Sequence, residues 1–93
     1  MPQIFRVGSY IVYFWSDENN PLEPIHVHVA EGRPGPDGTK IWLTQSGKTI
    51  VAHNKSNIPQ QELRKLQRMI ESNFFVIKKA WIAQFEGEIS FYC

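Results

Sequence analysis

The run Ile25-His26-Val27-His28-Val29 places two histidines one residue apart, and this spacing is the most pointed chemical feature of the chain. Side chains at i and i+2 of a strand leave the same face with Cα atoms about 6.6 Å apart, near enough for two imidazoles to hold one divalent ion such as zinc. A third ligand is required. Asp17 or Glu18 in the preceding loop, or His53 further along, would complete a 2-His-1-carboxylate or three-His set with a position left open for water. That centre would serve a metal-dependent hydrolase or nuclease. The plainer alternative makes His26 and His28 the half-polar outer face of a strand, hydrogen-bonded to the loop from Asp17 to Pro24. No second His-x-His and no nearby cysteine accompanies the pair, which favours the plainer alternative.

Acid–base chemistry without a metal needs a base and an acid on opposite sides of the reacting group. Two neighbours on one strand face are badly placed for that. His53 would have to oppose the pair, and Lys55 or Arg64 would have to stabilise a phosphorane. Arg64, Lys65 and Arg68 are the candidates for contacts to phosphate, together with Lys78 and Lys79. Amphipathic helices ordinarily carry such residues on their solvated face, and Glu62 with Lys65 and Arg68 with Glu71 form i, i+3 pairs. No helix-turn-helix, RNP or zinc-finger pattern is present. The aromatic residues offer a different chemistry, since Tyr13, Trp15 and Trp42 would form an apolar sheet face able to bind a protein unless the end of the chain or half of a bent helix covers it.

The elements that must position these residues can be read from periodicity. Ser9 to Trp15 is dense in aromatic and β-branched residues and shows no alternation, so it reads as a strand covered on both faces. Ile25 to Val29 alternates, with valines toward the core and histidines away from it. A third strand spans Thr39 to Thr44, with Ile41 and Leu43 on one face and Trp42 on the other. Gln45, Ser46 and Gly47 then lead into a fourth, Thr49 to His53, as in a three-residue hairpin. From Pro59 the period changes. Leu63, Leu66, Ile70, Phe74, Ile77, Trp81 and Phe85 follow at spacings of three and four, which is one face of an amphipathic helix, and Ser72 and Asn73 mark where it would bend or split. Glu88 to Tyr92 returns to alternation as a short final strand. The expected fold is α+β, an antiparallel four- to five-stranded β-meander with a long or broken C-terminal helix packed on one face.

Composition fits one domain over residues 1–93. Of the residues, 42% are apolar and 20% charged, well inside the globular range. A domain of this size buries roughly 60 to 70% of the surface that its unfolded chain exposes, enough for a core without staples. The only thiol, Cys93, forms no internal bridge. With no signal-peptide pattern at the start and no apolar run of about 20 residues, the expectation is a soluble cytoplasmic protein in a reducing compartment, with no membrane contact. The net charge of +1 is unevenly spread, because residues 48–79 hold seven basic and two acidic groups while both flanks are acidic. That excess falls short of a dedicated nucleic-acid domain.

Gly8 before the aromatic strand, Pro21-Leu22-Glu23-Pro24 before the His-Val-His strand, Lys40-Ile41-Trp42-Leu43, the Glu62 to Ile70 helix and Trp81 together resemble a bacterial domain-of-unknown-function family, DUF4160. The likeness runs from about residue 2 to Phe85. It departs from the family pattern in having Ile25 between Pro24 and the first histidine, and in a longer loop at Pro34 to Asp37. Glu86 to Cys93 lies outside it. The resemblance implies a small prokaryotic protein whose gene lies beside that of another small domain. It therefore implies a protein-interaction component of a two-gene, toxin–antitoxin-like module, leaning away from an enzyme. The partner would be the neighbouring gene's product or a second copy of the chain.

Overall fold

The computed structural model describes residues 3–16 and 22–93. Five strands come first, β1 (Gln3–Val7), β2 (Tyr10–Tyr13), β3 (His26–Glu31), β4 (Thr39–Leu43) and β5 (Thr49–His53), followed by α1 (Gln60–Ser72) and α2 (Phe74–Gln84). The strands pair in chain order as one antiparallel meander, β1-β2-β3-β4-β5. The four strands expected from Ser9 onward are β2 to β5. β1 is the fifth, and its bulge between Gln3 and Phe5 breaks the period-2 pattern that would have marked it.

Both helices lie on one face of the sheet. Their inward residues Leu63, Leu66, Ile70, Ile77, Trp81 and Phe85 are buried against Val12, Val27, Val29, Ile41 and Leu43, with Phe74 packed at the margin. This is the sevenfold apolar series read from the sequence, and it survives the helix break because the break is slight. Asn73 closes α1 with bonds from its amide to Met69 and Ile70 and opens α2 by accepting from the Ile77 amide at 3.0 Å. α1 is fixed to β5 by Thr49, whose hydroxyl donates to Glu71 at 2.7 Å and accepts from Gln67 at 3.1 Å. The β5–α1 loop is held by Asn54, which accepts from the Thr39 hydroxyl at 2.7 Å and the Ile58 amide at 3.0 Å.

The opposite face of β2 is covered too, as its lack of alternation required. Ile11 and Tyr13 form a second small cluster with Ala30, and Trp15 packs against it. The cover comes from the β3–β4 loop, where the Tyr13 hydroxyl donates to the Gly35 carbonyl at 2.9 Å. Residues 88–93 form no strand. They cross one end of the sheet on two backbone bonds, Ile25 N–H to Ser90 O and Gln45 N–H to Cys93 O, both 2.9 Å. No helix among the described residues is long and apolar enough to cross a membrane.

Candidate functional site

Sheet register aligns the candidate side chains in two rows on the face away from the helices. Tyr13, His28, Lys40 and His53 are successive cross-strand partners from β2 to β5. His26, Trp42 and Ile50 form the next row. His53 reaches the first row only through a bulge, since Ile41 pairs with Val51 but Lys40 pairs with His53, leaving Ala52 as the extra residue.

The two histidines have different surroundings. His26 is fully buried, edge-on to Trp42 at 5.5 Å and to Trp81 at 5.3 Å between ring centroids. Its Nδ1 lies 2.8 Å from the Pro24 carbonyl. A carbonyl only accepts, so Nδ1 carries the proton, and the ring is oriented by the loop before β3 as the plainer sequence reading required. His28 is half-buried, stacked on Tyr13 at 5.6 Å and edge-on to His26 at 5.1 Å. Lys40 pairs with Glu23 and sets its ammonium 4.4 Å above the Trp42 ring. The pKa of His53 lies below its ordinary value because burial disfavours the charged ring, and Lys55, His28 and Lys40 act in the same direction against Asp37.

Among the described residues no group of three His, Cys, Asp or Glu side chains is placed to hold a metal ion, so His26, His28 and His53 do not form the three-His centre. Asp17 and Glu18, the proposed carboxylate ligands, lie outside the described residues. The three aromatic candidates are largely occupied by their own chain. Tyr13 has no exposed surface, Trp15 is half-buried edge-on to Tyr13 at 5.4 Å, and Trp42 is stacked by Tyr92 at 4.9 Å and 3°. Arg64, Lys65 and Arg68 are exposed on α1.

Among the described residues the large apolar side chains that remain open are Phe75, Val76 and Met69 on the helices, with Ile50 on β5 and Tyr92 in the segment after α2. Phe75 is 78% exposed, Val76 55% and Met69 42%, all within one turn or so of the Asn73 kink. Lys65 and Arg68 of α1 and Lys79 of α2 are exposed as well. Phe75 also joins Phe74, Phe91, Lys78 and Glu71 in lining a cleft of about 520 Å³ beside the β4–β5 turn. The signal for this patch was present in the run Phe74-Phe75-Val76-Ile77. Successive helical residues are 100° apart, so if Phe74 and Ile77 face the core, Phe75 and Val76 face water.

The sequence model of the domain of unknown function DUF4160 matches residues 9–82. The chain belongs to the DUF4160 family. The match takes in β2 to β5, α1 and most of α2, and it stops short of the segment that crosses the sheet end. The DUF4160 region therefore contains both histidine rows and the helix kink. No curated protein and no solved structure matches the chain.

Proposed function

We infer that this DUF4160 protein is a protein-binding component, and that it docks its partner on the helix kink. The observation that carries the reading is the exposure of three large apolar side chains, Phe75, Val76 and Met69, within about one turn of the Asn73 kink. Large apolar side chains grouped at a protein surface favour contact with another protein over contact with water. Exposed Lys65, Arg68 and Lys79 on the same two helices favour a partner that presents apolar side chains within an acidic surround. Phosphate binding by Arg64, Lys65 and Arg68 would leave the exposure of Phe75 without a purpose, so the protein-binding reading ranks above nucleic-acid binding.

The first partner to test is the small protein of the two-gene, toxin–antitoxin-like arrangement that the family resemblance implies. Co-expression of the two, followed by size-exclusion chromatography at micromolar concentration, is expected to yield one complex containing both chains. Separate elution of the two, with this chain at the mass of a monomer, refutes the reading. A dimer of this chain alone would place a second copy on the patch.

A further inference from the structure

Residues 88–93 sit on the sheet end in the manner of a bound peptide. The backbone carbonyls of Ser90 and Cys93 accept from Ile25 and Gln45, amides that lie just before β3 and just after β4. Successive side chains point to opposite sides, as in an extended strand. Phe91 stacks toward the helices on Phe74 at 6.4 Å and 15°, and Tyr92 stacks on Trp42 of the outer face. Ile89 packs against the main core.

Three observations mark this segment as separable from the fold that it caps. It lies beyond the residues that define the family. It is joined to α2 by two consecutive residues in the left-handed region, Glu86 at φ 54 and Gly87 at φ 87. A glycine adopts that geometry at no steric cost, whereas a glutamate does so under strain, so the junction is a place where the chain can turn outward. The segment also leaves its groove partly open. The cleft lined by Phe74, Phe75 and Phe91 and a second one of about 540 Å³ lined by Ile50, Lys48 and Cys93 meet at Gln45 and Ser46.

We propose that residues 88–93 are a built-in ligand of a peptide-binding groove at the end of the sheet, and that they exchange with an extended segment of a partner carrying two adjacent aromatic residues. The recognition elements are the Ile25 and Gln45 amides, which now donate to the segment, and two aromatic platforms on opposite sides of the peptide, a form of strand addition. The identity of that segment as part of a protein partner rests on the protein-binding reading, because the groove opens beside Phe75. The groove itself does not depend on it. In the intact chain the tethered segment competes at an effective concentration in the millimolar range, so a peptide added in solution binds weakly until the tether is loosened.

The test uses a fluorescent peptide with the sequence of residues 88–93, its cysteine replaced by serine, titrated with the full chain and with Tyr92→Ala. Tyr92 is 58% exposed, so its loss removes the Trp42 stack and little else. Loss of an aromatic pair predicts binding about three- to tenfold tighter for Tyr92→Ala than for the intact chain. Equal affinity for both, or no binding to either at millimolar peptide, overturns the proposal. A second measurement needs no variant. Hydrogen exchange at the Ile25 and Gln45 amides of the intact chain is expected to be faster than at Val27 and Ile41, because the segment opens locally. Exchange as slow as in the sheet interior overturns it. Both readouts use the chain's own segment, so their failure is distinct from failure to find a protein partner.

Discussion

Replacing Gly38 by alanine tests how tightly the β3–β4 loop seals the outer face of the sheet. Gly38 does not occupy the left-handed region, so its backbone would accept alanine, and on entropy alone the change would stabilise by about 0.4 to 1 kcal/mol. Space forbids it. An added Cβ would fall inside the contact distance of the Tyr13 hydroxyl oxygen, and would stand 3.1 Å from Tyr13 Cζ and 3.2 Å from His28 Cβ. Tyr13 cannot retreat, because it is fully buried between Trp15 and His28. Overpacking of this kind costs about 1 to 3 kcal/mol. Tyr13→Phe alone loses the hydrogen bond to the Gly35 carbonyl, about 1 kcal/mol. In the double variant the new methyl takes the place of the missing hydroxyl. Two single costs that sum to about 3 kcal/mol should therefore fall to about 1 to 1.5 kcal/mol together, a coupling of about 1.5 to 2 kcal/mol. Urea denaturation of the four proteins at pH 7.5 supplies the cycle. Additivity within about 0.5 kcal/mol would refute the direct contact.

Two further predictions concern pH and charge. The folded-state pKa of His53 is lowered, so the folded state binds its proton less readily than the unfolded state, and the stability that His53 contributes is present above about pH 6.5 and lost as the pH falls below it. Urea midpoints between pH 7.5 and 5.5 should therefore fall less in His53→Gln than in the parent chain; equal slopes contradict the assignment. Glu23→Gln breaks the Lys40 pair, but Glu23 is nearly half exposed, so the loss should stay under about 1 kcal/mol and vanish in 1 M salt. A larger, salt-independent loss in thermal unfolding would show that the pair acts as a buried one.

Local periodicity was enough for the meander from β2 to β5, for the helix face from Leu63 to Phe85 and for the break at Asn73, because each is a repeat that neighbouring residues enforce. What escaped it depends on contacts between distant segments. Tyr13 looks like an exposed aromatic until Gly35 and Gly38, more than 20 residues away, bring the loop backbone onto its hydroxyl. Trp42 looks open until Tyr92 stacks on it. Strand alternation put both histidines on the face away from the helices, but His26, at the first position of β3, is fully buried with its ring edge-on to Trp81 of α2 as well as to Trp42. His53 joined their row through a bulge at Ala52, which no pattern of side-chain types announces. The open helix surface at Phe75 and Val76 was legible, since four consecutive apolar residues cannot share one face of a helix.

That surface bears the central claim. Full burial of a phenylalanine is worth about 1.5 to 3 kcal/mol, and 78% of Phe75 is available to be buried by a partner. The most direct measurement is the dissociation constant, by isothermal titration calorimetry, of the co-purified partner with the parent chain and with Phe75→Ser, alongside the thermal midpoint of each chain alone. The account predicts a loss of affinity of roughly tenfold or more with a midpoint that moves by no more than a few degrees. Unchanged affinity with Phe75→Ser would contradict it.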